Sequence, residues 1–424
     1  MLAARATARR TARLSRSFAT AVESAGVKVA AVDHSQPTSS VTFVVKAGSR
    51  FESKPGVANF LKNFAYKATS SRSALGTVRE AELYGGVLST SLSREHLALT
   101  AEFLRGDEAF FVDVLSSFFT SSKFTPWELK ESVALTVAAE TQAATSDAAI
   151  RTVELAHALA FRNGLGASIY APTHPSVSVD DIKSFAGQAF SKDNIAVFGT
   201  GISQEALEKL VEKSLGSLGS SSSVSTSTTK VYGGETRQGL HDAPQTVFLG
   251  FGTPGAPSAE LAVLSAYLSP SPSVKWSKGT SPLSSIIPEG ITANTLLLPY
   301  SDATLFGLLF QGESAEGVKE AVTASVKALK DAAASIKPED LKKAIAKAKF
   351  TAASTAESRE GFVSAFGPRL LAGSELSLDG ALGALEGTSA SSISKAASSF
   401  FKTDSTYVAV GDTNTLPFKD ELGL

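Results

Sequence analysis

The sequence predicts an α+β protein built from two similar halves. Three observations predict it: an internal repeat, a polar seam in the middle, and short strand patterns mixed with helix patterns in no clean βαβ rhythm. Thr125-Pro126-Trp127-Glu128-Leu129-Lys130 resembles Lys337-Pro338-Glu339-Asp340-Leu341-Lys342, with Pro126 and Pro338 212 residues apart. Both stretches open Ala-rich helical patterns, with Pro where a first helical turn tolerates it. Thr125 and Glu128 add a capping-box signature. Asn194-Ile195-Ala196-Val197-Phe198-Gly199 resembles Thr406-Tyr407-Val408-Ala409-Val410-Gly411, again with the glycines 212 apart. Both are β-rich runs ending at a glycine turn. Asp181-Ile182-Lys183-Ser184 and Ser392-Ile393-Ser394-Lys395, each opening a short helix, repeat at an offset of 211.

Residues 216–230 read GSLGSSSSVSTSTTK, too polar and Ser-rich to pack. They predict a flexible linker over 216–235, separating a first domain over 19–215 from a second over 236–424. The 424 residues suit two domains of about 200 better than one core.

Composition removes several function classes. The formal net charge is −1, which gives no reason to expect nucleic acid as a partner. No cysteine is present, which excludes disulfides, thiolate zinc sites, cysteine nucleophiles and all-cysteine iron–sulfur ligation. The histidines, His34, His96, His157, His174 and His241, form no H-x-H or H-x-x-x-H pair. No run of about 18 apolar residues predicts a transmembrane helix. The longest apolar stretches, Thr42 to Val45 and Leu296 to Leu298, read as sheet strands.

Residues 1–18 read as a mitochondrial transit peptide. Arg5, Arg9, Arg10, Arg13 and Arg16 precede the first acid, Glu23, with Ala, Ser and Thr between them. Arg5, Arg9, Arg13 and Arg16 would share one helical face, and Arg16-Ser17-Phe18 before Ala19 resembles a matrix-processing site.

Val57, Phe60, Leu61 and Phe64 sit at i, i+3, i+4 and i+7, the apolar face of a helix opened by Pro55-Gly56. Asn59, Lys62, Asn63 and Tyr66 share the same spacing on another face. The run AGSRFESKPGVANFLKNFAYKAT over 47–69 resembles the inverzincin segment of the pitrilysin-type, processing-peptidase-like family, AGSR-x-E…G-x-A-H-x-x-E-H-x-x-x-K-x-T. In that family two His hold zinc and the Glu activates water. The resemblance places Asn59 and Asn63 where the two His stand and Lys62 where the Glu stands. A further zinc-ligating Glu of the family maps near Glu140. Neutral amides are poor zinc ligands, and an ammonium repels the ion. The resemblance thus implies vestigial positions at Asn59, Lys62, Asn63 and Glu140, with no catalysis, no bound metal and no cofactor. Active members also hold substrate with an Arg and a Tyr from the second half, and the matching stretch, Ser281 to Asn294, contains neither.

The resemblance further implies two homologous domains, each a mixed, largely antiparallel sheet packed with helices. The second half resembles the core-protein branch of the family at Val263 to Leu268, Pro272-Ser273-Val274-Lys275, Pro299 to Gly307, and Leu416 to Leu422. Members of that branch are structural subunits of ubiquinol–cytochrome c reductase. The implied partners are a core protein 1, cytochrome b, cytochrome c1 and the iron–sulfur protein, on the matrix side of the inner membrane. The alternative is the non-catalytic, presequence-binding alpha-type subunit of the matrix processing peptidase. That subunit carries a Gly-rich loop, whereas Tyr267 to Gly290 is rich in Ser and Pro.

Other motifs are weaker. Glu154 and His157 form a single E-x-x-H pair, where a di-iron bundle needs two. Gly199-Thr200-Gly201 lacks the third glycine of a dinucleotide loop, since Gln204 stands there. Glu95-His96 has the wrong order for a zinc motif.

Overall fold

Alternation of apolar residues and paired capping serines set the elements. The structure, a computed structural model, describes residues 22–33, 35–220, 227–271, 279, 281–374 and 376–423. The segment 1–18 expected to be a transit peptide, His34, residues 221–226 of the Ser-rich stretch and Pro272-Ser273-Val274-Lys275 lie outside the described residues. The first half contains β1 (Val22–Ser24), β2 (Val27–Val32), β3 (Thr38–Val45), α1 (Val57–Asn63), α2 (Ala74–Leu83), β4 (Val87–Leu92), β5 (Leu97–Leu104), α3 (Glu108–Ser121), α4 (Pro126–Glu128), α5 (Ala134–Ser146), α6 (Ala148–Phe161), α7 (Val179–Ala189), β6 (Ile195–Thr200) and α8 (Gln204–Leu215). A π-helical turn over Leu129–Val133 joins α4 to α5. The second half contains β7 (Gly234–Gly239), β8 (Gln245–Pro254), α9 (Ala259–Leu268), β9 (Thr292–Pro299), β10 (Ala303–Gly312), α10 (Ala315–Ala334), α11 (Pro338–Glu357), α12 (Arg359–Ala372), α13 (Leu378–Glu386), α14 (Ala390–Phe400) and β11 (Thr406–Gly411).

The repeat is visible in the sheets. One is ordered β1-β2-β6-β3-β5-β4 and the other β7-β11-β8-β10-β9. Leaving β1 aside, the two orders are the same. In each, the last strand of the half inserts between the first two, parallel to the first (β6 with β2, β11 with β7), while the other pairings are antiparallel. The equivalent helices α7 and α14 both begin with a capping box, Ser178 with Asp181 and Ser389 with Ser392. Each box satisfies a backbone N–H that the first turn leaves open.

Strand residues divide by parity between two faces. In the first sheet Val41, Phe43 and Val45 face a core shared with α1, α3, α7 and α8. Their neighbour Val44, with Ala30, Ala196 and Phe198, faces the other way, against Phe366, Leu370 and Leu371 of α12. In the second sheet Val247, Leu249 and Phe251 join the core built with α9, α10 and α14. Phe248, Leu305, Leu309, Val408 and Val410 face Ala156, Ala160 and Phe161 of α6. Each half therefore lends a helix to the back of the other half's sheet. Lys28 Nζ donates to the carbonyl of Leu371 at 2.6 Å, tying the C-terminal end of α12 to β2. Burial on both faces explains why β3 and β8 read as near-continuous apolar runs.

Two local expectations change. The Thr125–Glu128 capping box does not form. Thr125 Oγ1 donates to Glu128 Oε2 at 2.6 Å, and Glu128, fully buried, accepts instead from the Ala68 N–H at 2.9 Å. The Ser-rich stretch is also not free along its length: β7 starts inside the predicted linker, and residues 227–234 are bonded to both halves.

Candidate functional site

Helix α1 sits at the end of β3, and its entry is set by Gly56. That residue has φ +90°, and a Cβ there would lie 2.8 Å from the Ala171 Cβ, so only glycine fits. The carboxylate of Glu52 covers the open first turn, its Oε2 accepting from the Gly56 N–H at 3.1 Å and the Ala58 N–H at 3.3 Å. Burial pushes the Glu52 carboxyl up to about 7, against the pull of those two hydrogen bonds.

Val57, Phe60, Leu61 and Phe64 fill the core as their spacing predicts. On the next face the four positions Asn59, Lys62, Asn63 and Glu140 converge, Glu140 arriving from α5. Lys62 Nζ donates to Glu140 Oε1 at 2.6 Å. Asn63 Nδ2 lies 3.1 Å from Glu140 Oε2 and 3.1 Å from both the carbonyl and the Oδ1 of Asn59. Asn59 Nδ2 donates to the Ile169 carbonyl at 3.2 Å. Tyr66 does not join them. The chain leaves helical geometry after Asn63, Tyr66 takes φ +61°, and its hydroxyl lies 2.9 Å from the carbonyl of Ser89 and 3.2 Å from that of Thr100.

The donor set is two amides, one ammonium and one carboxylate, and the ammonium occupies the carboxylate. Such a set does not fit a divalent cation: an internal positive charge already stands where the ion would sit, and no imidazole is present. Among the described residues, no group of three or more His, Asp and Glu is arranged to hold a metal ion. The two amides are not bases in water, and the one carboxylate is held by Lys62 and Asn63.

Surrounding pairs hold the site and reach the second half. Glu154 and His157 separate. Glu154 Oε1 pairs with Arg94 Nη2 at 2.8 Å, and its Oε2 accepts from the Ile169 N–H at 3.3 Å. The Ile169 peptide is thus gripped on its N–H by Glu154 and on its carbonyl by Asn59. His157 Nδ1 lies 2.7 Å from the Val153 carbonyl and must donate to it, so the neutral ring accepts the Tyr300 hydroxyl at Nε2, also 2.7 Å. Burial, with the charge of Arg94, pushes His157 down to about 3. Burial pushes the Tyr300 hydroxyl up to about 12.

Arg50, from the AGSR run, is buried against both halves. Its Nη1 reaches Glu95 Oε1 at 2.7 Å and Asp302 Oδ1 at 2.8 Å, and its Nη2 reaches Asp302 Oδ2 at 2.7 Å. Burial raises the Asp302 carboxyl, but the bonds from Arg50 and Thr229 outweigh it, and the group lies below the usual aspartate range. Arg50 and Glu52 stand in the run over 47–69 and Glu95 in the Glu95-His96 pair, and neither pattern marks these roles. The signal for Arg50 was its place in the AGSR run; nothing local marks Asp302 as its partner.

A duplicated α+β fold with exchanged helices is the frame in which the comparisons fall, and they give the class as the insulinase-type peptidases. Residues 28–173 match the family model of insulinase, peptidase family M16, and residues 176–348 match the M16 inactive domain. Curated relatives narrow this. The chain is 47% identical to cytochrome b-c1 complex subunit 2, mitochondrial, of Cryptococcus neoformans var. grubii, over 97% of this chain and 96% of that one. It is 36% identical to the protein of that name from Yarrowia lipolytica, over 96% and 97%. The one from Homo sapiens is 28% identical over 94% and 90%. The chain belongs to peptidase family M16 and, within it, to the cytochrome b-c1 complex subunit 2 family.

Proposed function

We propose that the chain is a non-catalytic structural subunit of the mitochondrial cytochrome b-c1 complex, the ubiquinol–cytochrome c reductase of the respiratory chain. The observation that supports the non-catalytic part is the Lys62–Glu140 ion pair, at positions that the sequence resemblance aligns with the family's metal site. The vestigial positions are Asn59, Lys62, Asn63 and Glu140. The assembly part rests on near full-length similarity to subunits that bear the complex's name. Among the described residues no helix is long and apolar enough to cross a membrane. A peripheral place on the matrix side of the inner membrane accords with this. The direct partners in this reading are a core protein 1 and, through it or beside it, cytochrome b, cytochrome c1 and the iron–sulfur protein. Transit segment 1–18 delivers the chain, and residues 19–215 and 236–424 form its two domains.

The test is native-gel isolation of the tagged chain from mitochondria, with identification of its companions. Co-migration with a b-type cytochrome is expected. Recovery as a soluble pair with an active processing peptidase subunit would replace this reading with the presequence-binding one.

A further inference from the structure

We propose that residues 227–234, Arg50 and the turn Tyr300 to Asp302 form a fastener that closes the two halves into one rigid unit, so that residues 227–234 do not serve as a hinge. The turn between β9 and β10 belongs to the second half, yet all three of its side chains bond to the first. Tyr300 donates to His157 at 2.7 Å, Ser301 Oγ donates to Glu95 Oε1 at 2.6 Å, and Asp302 takes both arms of Arg50. The Ser301 N–H also donates to Glu95 Oε2 at 3.0 Å.

The strand of chain leaving the Ser-rich stretch then threads across this joint. Asp302 accepts from the Thr229 N–H at 2.9 Å and from its hydroxyl at 3.0 Å, and Arg50 Nη2 lies 3.1 Å from the same hydroxyl. Val231 packs among the residues between α6 and the second sheet. The Tyr232 N–H donates to the Ala160 carbonyl of α6 at 2.8 Å, and the Arg162 guanidinium stacks over the Tyr232 ring at 3.9 Å. The Gly234 N–H donates to the Ser405 carbonyl at 2.9 Å, beside β11. A hinge needs a few residues whose dihedrals can change without breaking contacts. Residues 229–234 have contacts to both halves along their length. The bidentate Arg50–Asp302 pair is a charge-assisted, directional bond with Arg50 almost wholly removed from water, the kind that costs most to release. This inference concerns the chain itself and does not depend on the assembly it joins.

Limited proteolysis of the full chain tests it, with amide exchange of β3 and β8 read in parallel. The wild type should resist cleavage at 227–233. Asp302→Asn should accelerate that cleavage by about tenfold or more while β3 and β8 stay protected. Asp340→Asn, which removes an exposed pair with Lys343, is the control and should change nothing. If Asp302→Asn also loses core protection, Thr229→Val decides, because it keeps the ion pair and removes only the strap's hydroxyl. Faster cleavage in Thr229→Val supports the fastener. A wild-type cleavage rate in Asp302→Asn, a wild-type rate in Thr229→Val where Asp302→Asn has lost core protection, or rapid cleavage at 227–233 in the wild type overturns it.

Discussion

Lys62 and Glu140 meet across α1 and α5 at 2.6 Å, with 16% and 29% of their side chains exposed, so the pair crosslinks the two helices. Removing one partner should therefore cost more than a surface pair does. Lys62→Met leaves Glu140 half-buried with only Asn63 to satisfy it, and should lower stability by about 1–3 kcal/mol in urea unfolding. Lys62→Met combined with Glu140→Leu should recover most of that loss. Additive losses in the double variant would show that the two side chains do not stabilise each other.

The backbone still places positions 59 and 63 one helical turn apart, facing Glu140. Replacing Asn59 and Asn63 by His and Lys62 by Glu should create a zinc site with near-stoichiometric metal after dialysis, read by elemental analysis. Peptide cleavage should stay absent, because Ser281 to Asn294 offers neither Arg nor Tyr. A metal-free triple variant with an intact fold would mean that the helix positions have drifted.

His157 sets part of the acid limit of stability. Its folded value near 3 lies below the ordinary 6.5. Between those values the unfolded chain binds a proton that the folded chain does not. Stability from this group is complete above about pH 6.5 and falls on acidification by up to ~1.4 kcal/mol per pH unit. His157→Gln should flatten the loss between pH 6 and 4 in thermal melts, about that span. An unchanged slope would place the acid sensitivity in other groups.

Glu52 works in the opposite direction. Its folded value near 7 exceeds the ordinary 4.5, so the folded state holds the proton more tightly, and its contribution is lost as pH rises through 7. Glu52→Gln keeps an oxygen for the Gly56 and Ala58 amides without the buried charge. Its melting temperature should exceed wild type at about pH 8 and converge with it near pH 5. A variant less stable than wild type at both pH values would mean that the charge itself anchors α1.

Leu370 belongs to the second half but is fully buried on the first sheet. Leu370→Ala should cost about 2–5 kcal/mol and should loosen amide exchange in β2 and β6 at least as much as in β8. Loosening confined to the second half would contradict the exchange of helices.

The repeat offset was legible because proline, glycine and capping residues must stand at fixed places relative to the elements they bound. It predicted two similar halves and the starts of α4, α11, β6 and β11. The apolar face of α1 was legible from spacing alone. The helix exchange was not: the apolar residues of α6 and α12 would suit either sheet, and nothing local says which sheet receives them. Asp302 and Arg50 were invisible as a pair for the same reason, since 252 residues separate them. The Ser-rich composition over 216–235 predicted a loose linker. It could not show that Thr229 finds the buried Arg50 and the half-buried Asp302, or that Tyr232 finds an arginine.

The placement of β11 has a consequence for how the chain matures. This strand, the last among the described residues, lies between β7 and β8, which are not neighbours without it. Until it arrives, the second sheet is split, with raw backbone edges on both sides of the gap and Phe248 without its neighbour Val408. A chain truncated short of Thr406 should keep both edges open and should aggregate through them, whereas the full chain closes its own sheet.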